Sequence, residues 1–329
     1  MRAIVNTGPD QLELTTLPLP EPKAGQVRIQ TAACGICATD LSMIAGWDRT
    51  GFPSIPGHEW SGIVESVGSG IETGWIGRRC VAQNVLTDGL EVGFEHPGGY
   101  AEYFVTDAAN VRFLPDSYSF TEAALIEPLA VCVRGMKRLR LENRKSAVIF
   151  GDGAIGLLML SLLRLEKMEY ILMVGGRDAR LGLAREIGAN MTMNYLKLGG
   201  SLIVEAQKVL PSGFANVIEA SGSASAMRAC MNVAQNKGRI LVIGDYGDER
   251  ADFLWNDLLL HELELIGSNA SEGSWDDALH LAAEETVPLA KLITHTVAAE
   301  KFEKGIELVR NSPDTIKVVL KWMDNNAVS

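Results

Sequence analysis

Cysteine is scarce. Five thiols in 329 residues are too few, and odd in number, for the disulfide framework of a secreted domain. Positive charge is in deficit: 30 Lys and Arg against 41 Asp and Glu leave a net charge of −11, which argues against a nucleic-acid partner. Long apolar runs are missing, and none reaches the ~18–20 uncharged residues of a membrane span. The stretch from Met1 to Asp10 lacks the apolar core of a signal peptide. Internal repeats and low-complexity tracts are absent too. These absences predict a reducing, cytoplasmic setting, with neither membrane nor nucleic acid as partner. What the chain has in quantity is apolar residues, at 47% with 22% charged, ordinary proportions for a globular enzyme. Its length suggests two domains.

The N-terminal third reads as short strands between glycine-rich turns. Residues 26–31 and 62–68 alternate polar and apolar, as half-buried strands do. Pro18, Pro20 and Pro22 mark an extended connector. A helix start is expected near Thr121. From Ser146 the pattern becomes β-α-β: a strand at 147–150, an almost wholly apolar helix at 155–167, a strand at 170–174. Further strands are expected at 215–219, 239–243 and 263–267, with helical patterns between several of them. This alternation predicts an α/β fold with a doubly wound parallel sheet. Residues 275–285 and 302–310 read as helices, and 316–320 as a last apolar strand.

Gly151-Asp152-Gly153-Ala154-Ile155-Gly156 follows a strand and opens a helix. In that context G-x-G-x-x-G is a dinucleotide fingerprint. The first glycine makes the turn, the second lets a pyrophosphate approach the backbone, and the third lets helix and strand pack closely. The helix N-terminus offers its N–H groups to the phosphates. The next strand ends in Val174-Gly175-Gly176-Arg177-Asp178. No acid stands at its tip to receive a ribose 2′-hydroxyl. Small residues and a guanidinium there suit a 2′-phosphate, so NADP is expected over NAD. The alternative leaves Arg177 solvated and gives the ribose to Asp178.

Cys37, His58, Glu59 and Glu127 supply a thiolate, an imidazole and carboxylates, the donor types of a catalytic zinc site. By donor type alone the signal is weak, since Cys37 reads equally as a buried thiol and His58 as a core histidine. Cys34 and Cys37 form a C-x-x-C, but no second pair completes a structural zinc site.

These residues carry a family resemblance. Cys34-Gly35-Ile36-Cys37-Ala38-Thr39-Asp40, Pro56-Gly57-His58-Glu59-Trp60-Ser61-Gly62, Gly98-Gly99-Tyr100-Ala101-Glu102-Tyr103, Glu127-Pro128-Leu129-Ala130 and the glycine loop occur in the family's order over nearly the whole chain. The sequence resembles the medium-chain dehydrogenases/reductases, in the zinc-dependent alcohol and polyol branch that includes sorbitol and glucose dehydrogenases. The resemblance implies a GroES-like β-rich catalytic domain from both chain ends, 1–129 and 271–329, with a Rossmann domain at 130–270. It implies one catalytic zinc on Cys37, His58 and either Glu59 or Glu127, and makes Thr39 the hydroxyl beside the reacting alcohol oxygen, with Asp40 a supporting acid. For the cofactor it adds Tyr195, Ser221, Ile243 and Ser268 to Gly151, Gly153, Ala154, Ile155, Gly156, Gly175, Gly176 and Arg177.

Two departures from the branch stand out. Residues 83–97 contain no cysteine, so the structural-zinc lobe is missing and no structural zinc is expected. Where many relatives place a relay histidine, this chain has Leu41, Ser42 and Met43, which leaves Ser42, water or His96 for the proton.

The implied reaction is reversible hydride transfer between a secondary alcohol or polyol, of sugar or cyclitol type, and NADP. Trp47, Phe52, Glu95, Tyr100 and Glu102 fall in segments that border the substrate in relatives, and carboxylates there would suit a polyhydroxylated molecule. A zinc-free NADPH-dependent reductase of quinone or enoyl type is one alternative, but it would not be expected to keep all four metal-ligand candidates. A non-catalytic NADPH-binding protein is another. A homodimer or homotetramer is expected, paired through a Rossmann edge strand.

Overall fold

The structure, a computed structural model, describes residues 1–323; the last six residues of the expected 271–329 segment lie outside the described residues. The chain divides into two compact units. One comprises Met1–Glu127, Trp275–Glu285 and Leu289–Ser329; the other comprises Pro128–Ser274 and Thr286–Pro288.

The first unit is GroES-like. A hairpin of β1 (Arg2–Gly8) and β2 (Gln11–Thr16) stands beside a seven-stranded sheet. That sheet is built on β3 (Gln26–Ile36), the helix α1 (Ala38–Ala45) follows it directly, and β4 (Glu59–Val67) pairs antiparallel along its length. Beyond β4 come β5 (Arg79–Ala82) and β7 (Val111–Phe113), while β6 (Tyr103–Asp107) pairs with the first half of β3. The alternation at 26–31 suggests a strand with one wet face. Instead β3 is buried along almost its whole length. Its first half is flanked by β4 and β6 and its second half by β4 and a C-terminal strand, so it is central everywhere. Trp60 and Phe104 meet edge to face, ring centroids 4.7 Å apart, in the apolar cluster beneath the sheet.

The short helix α2 (Phe120–Ala123) and the longer α3 (Ile126–Leu139) follow in sequence. The second unit then begins its sheet with β8 (Ser146–Phe150), α4 (Ala154–Leu165), β9 (Tyr170–Gly175), α5 (Asp178–Ile187) and β10 (Met191–Asn194). After α6 (Tyr195–Leu198) and α7 (Leu202–Val209) come β11 (Phe214–Glu219), α8 (Ala224–Val233), β12 (Ala234–Val242), α9 (Trp255–Leu260) and β13 (Glu264–Gly267). All six strands are parallel, in the order β10-β9-β8-β11-β12-β13. The order reverses between β8 and β11, and in such sheets ligands bind at the carboxyl ends beside that reversal. Residues 156–163 of α4 are all buried, as its apolar circumference requires. The sequence pattern did not suggest β10. Its four residues are half polar and too short for a period to show.

The chain returns to the first unit through α10 (Trp275–Ala283), α11 (Leu289–Leu292), β14 (Ile293–Ala298), α12 (Phe302–Asn311) and β15 (Lys317–Lys321). β15 lies antiparallel to the end of β3, pairing Val318 with Ile36 and Leu320 with Cys34. A segment near the chain end is thus laid against the motif of Cys34 and Cys37.

Candidate active site

Cys37 is the N-cap of α1, and Asp40 closes the turn on it. The Cys37 N–H donates to Asp40 Oδ2 at 2.8 Å, and the Cys37 sulfur accepts from the N–H three residues on, a capping box with sulfur in place of a hydroxyl. Asp40 is fully buried and also receives the Tyr100 hydroxyl at 3.4 Å. Its second oxygen lies 3.2 Å from His58 Nδ1. Those two atoms are close but off line, and neither has a hydrogen bond of good geometry. Burial works against a charge on His58, yet the Asp40 carboxylate and the Cys37 sulfur outweigh it and hold the imidazole pKa well above its ordinary value.

The backbone before β4 is fixed by close approach. Gly57 has φ +105°, and a Cβ there would stand 2.7 Å from the Tyr100 nitrogen and 2.9 Å from the Cys34 sulfur. Asn84 then pins the next residue: its amide donates to the His58 carbonyl at 2.8 Å and accepts from the Trp60 indole at 3.0 Å. Phe94 covers the His58 ring at a centroid distance of 4.8 Å. Sequence reasoning passed over both Asn84 and Phe94, which sit in the cysteine-free segment 83–97 from which only Glu95 and His96 were singled out.

Cys37, His58 and Glu59 each bring one donor atom within 4.8 Å of the others. Sulfur, imidazole nitrogen and carboxylate oxygen, from a half-buried Cys37 and a buried His58 and Glu59, match the donor chemistry of catalytic zinc. The buried, unsatisfied edge of the imidazole against Asp40 matches the carboxylate–histidine pairing by which such ligands are oriented. The residues therefore fit the metal.

Glu59 is not bare. Lys317, the first residue of β15 and buried, donates to both its oxygens at 2.6 and 2.8 Å. A lysine at each end of a strand with an apolar middle gave no sign of this partner. Glu127 lies outside the group of three donors, but the charges of His58, Glu59 and Lys317 all act on it. Burial dominates there and pushes its carboxyl up to about 7. Thr39 Oγ1 is 3.6 Å from the Cys37 sulfur.

The expected substrate-facing carboxylates are occupied. Glu95 is ion-paired with Arg49, and Glu102 with Arg2. Tyr100 is fully buried. His96 is partly exposed and lies 2.8 Å from Asp88. Trp47 and Phe52, at 39% and 40% exposure, remain open to a ligand.

In the second unit, every expected cofactor residue lies at or just beyond the carboxyl end of a parallel strand. Gly151, at φ +120°, turns out of β8; Gly153 is the N-cap of α4; Ala154, Ile155 and Gly156 form its first turn. A Cβ on Gly156 would stand 1.9 Å from the Gly151 carbonyl oxygen, whereas a Cβ on Gly153 would meet nothing within 4 Å. The open space thus lies over the helix N-terminus, where a pyrophosphate fits. Gly175, Gly176 and Arg177 form the tip of β9, and the Tyr195 ring lies against Gly176. Ser221, Ile243 and Ser268 follow β11, β12 and β13. Glu219, fully buried, gathers two of these loops: its side chain accepts from Ser221 and Gly222, and its carbonyl accepts from the N–H groups of Ile243 and Gly244. No sequence signal distinguished it from the apolar residues of its strand.

A GroES-like unit with zinc-type donors, joined in sequence to a doubly wound nucleotide-binding unit, defines a dehydrogenase of the alcohol dehydrogenase type. Residues 23–116 match the family model of the alcohol dehydrogenase GroES-like domain, and residues 110–322 that of the glucose dehydrogenase C-terminus. The chain is 27% identical to the D-arabitol-phosphate dehydrogenase of Enterococcus avium, covering 95% of each chain. It is 29% identical to the L-threonine 3-dehydrogenase of Bacillus subtilis, covering 91% of this chain and 92% of that one. Its fold matches a solved Escherichia coli CFT073 alcohol dehydrogenase complexed with NADH, with TM-score 0.91, 23% identity and coverage of 98% and 99%. The chain belongs to the zinc-type medium-chain dehydrogenase family and is an oxidoreductase.

Proposed function

We propose that this enzyme interconverts a secondary alcohol or polyol, of sugar or cyclitol type, with its ketone, using one zinc ion and NADP. The observation that carries the reading is the approach of Cys37, His58 and Glu59 donors to within 4.8 Å of one another. Zinc, when bound, supplies Lewis acidity to the alcohol oxygen, and the nicotinamide supplies the hydride acceptor.

The chain's own residues do the rest. Cys37, His58 and Glu59 hold the metal, with Glu127 as a further carboxyl beside them. Asp40 orients His58 from behind, and Lys317 holds Glu59 in place through both its oxygens. Thr39 accepts the proton of the alcohol hydroxyl as it gives up its own. Ser42, exposed three residues further along α1, passes it to solvent. The named substrates of the relatives, an arabitol phosphate and threonine, support alcohol chemistry on a small molecule. NADP is favoured by Arg177, whose exposed side chain has no partner among the described residues, and by Asp178, which is committed to Lys197 and Asn194.

Five free thiols suit a reducing cytoplasm, and no described helix is long and apolar enough to cross a membrane. A homodimer formed at the open edge of β13 is our reading of the assembly.

The test is metal content of protein purified without added zinc, with NADP-linked oxidation of a panel of polyols. About one zinc per chain, lost together with turnover in Cys37→Ser, is the expected result. Full turnover in a zinc-free Cys37→Ser protein would sink the proposal in favour of a zinc-free reductase.

A further inference from the structure

The second residue of the glycine turn, Asp152, does not face water. It is 8% exposed, and its carboxylate reaches across to the neighbouring strand tip. Oδ2 accepts from the N–H groups of Gly176 and Arg177, both at 2.8 Å, and Oδ1 lies 3.6 Å from Arg180 Nη1. The fit is close: a Cβ on Gly175 would stand 2.4 Å from Oδ2 and 2.5 Å from the carboxyl carbon. Tyr195 walls the same turn, its ring atoms 2.9–3.0 Å from where a Cβ of Gly176 would be.

In a doubly wound nucleotide site the tip of the second strand receives the adenosine ribose. An acid there accepts from the 2′-hydroxyl, or an arginine receives a 2′-phosphate. Here the tip carries no acid of its own. Asp178, the nearest in sequence, gives its two oxygens to Lys197 at 2.6 Å and Asn194 at 2.8 Å. Backbone N–H groups in a tight turn are natural phosphate donors, and the two at this tip are already taken by the Asp152 carboxylate.

We propose that Asp152 is the cofactor-selectivity residue of this site, an acid supplied to the second strand tip from the first β-α turn. It occupies the two N–H groups a 2′-phosphate would use and sets a negative charge beside it, opposing the attraction of Arg177. This rests on the nucleotide reading given above. The consequence is a weak preference between the two cofactors, set by two opposed side chains rather than by one.

The test is titration of NADPH and NADH fluorescence on the full chain, without substrate. Asp152→Asn keeps an oxygen to accept from Gly176 and Arg177 but removes the charge. It is expected to tighten NADPH on the order of tenfold relative to NADH, the scale of relieving one like-charge contact. Equal weakening of both cofactors, or an unchanged ratio, would overturn the proposal and leave Asp152 as a staple of the turn. Should Asp152→Asn fail to fold, Arg177→Ala, at an exposed residue, reads the same balance. Without Arg177 the phosphate faces the Asp152 carboxylate, itself still 3.6 Å from Arg180, and NADPH weakens on the order of tenfold or more against NADH; an unchanged ratio overturns the proposal. Wild-type protein that binds neither nucleotide refutes the nucleotide reading itself, a result distinct from binding at a ratio indifferent to Asp152.

Discussion

Residue 317 shows how a single side chain can be central to a site and silent in the sequence. The motifs announced Cys37, His58, Glu59 and Glu127 because each sits in a short, ordered string of residues. Lys317 sits in none, and its partner is 258 positions away. Only the registers of β15 and β4 on the end of β3 bring the two together. The pair has a measurable signature. Removing one partner of a buried ion pair costs about 3–5 kcal/mol, because the other charge is left uncompensated. In Lys317→Met the orphaned charge is that of Glu59, which a bound cation would compensate instead. We therefore expect Lys317→Met to lower the melting temperature strongly in chelator-treated protein and much less in zinc-loaded protein. Equal losses in both forms, read by differential scanning fluorimetry, would separate Lys317 from the metal site.

Turns and strands were legible to different degrees. The glycine loop was read correctly as a strand-to-helix turn because its three glycines do three different things, and the structure separates them. Gly156 is needed for packing, since a Cβ there meets a backbone oxygen at 1.9 Å; Gly153 is not, since a Cβ there meets nothing within 4 Å. Gly156→Ala should destabilise the fold by roughly 1–3 kcal/mol, the cost of forcing volume into a packed contact. Gly153→Ala should leave the melting temperature of the unliganded protein nearly unchanged while weakening NADPH binding, because it fills the space left for phosphate. Retention of wild-type affinity by Gly153→Ala would place the phosphates elsewhere. What alternation misjudged was depth. β3 reads as half-buried, but pairing on both sides and cover on both faces bury it almost entirely. Period two reports which way side chains point, not how many neighbours a strand acquires.

For the molecule as a whole, the sequence conveyed the class of fold and named Cys37, His58 and, as alternatives, Glu59 and Glu127, of which the structure groups the first three within 4.8 Å; it did not convey which carboxylates would be free. Glu95 and Glu102 look like substrate contacts until Arg49 and Arg2 are found holding them, and surface pairings of that kind leave no pattern in a single chain. The dimer we propose rests on surface features. Among the described residues β13 ends the parallel sheet with an unpaired edge, and α9 before it exposes Trp255, Leu259 and Leu260, each at 71%, alongside Leu254 at 72%. Open edges and exposed apolar groups of this kind are covered in stable proteins. Leu259→Glu together with Trp255→Ser should convert the dimer we propose to monomer in sedimentation velocity while leaving zinc content intact. A wild-type protein that sediments as a monomer would remove the edge from consideration.

The pairing of Glu59 with Lys317 also has a temporal side. A ribosome adds roughly 5–20 residues per second, so the 258 positions between them amount to something between ten seconds and a minute of synthesis. Throughout that interval the nascent chain already carries Cys37, His58 and Glu59 but not the lysine that steadies the last of them. Metal capture during translation would meet an unfinished site, open to whichever soft cation arrives first. On the zinc reading proposed above, loading is therefore expected to follow the emergence of β15.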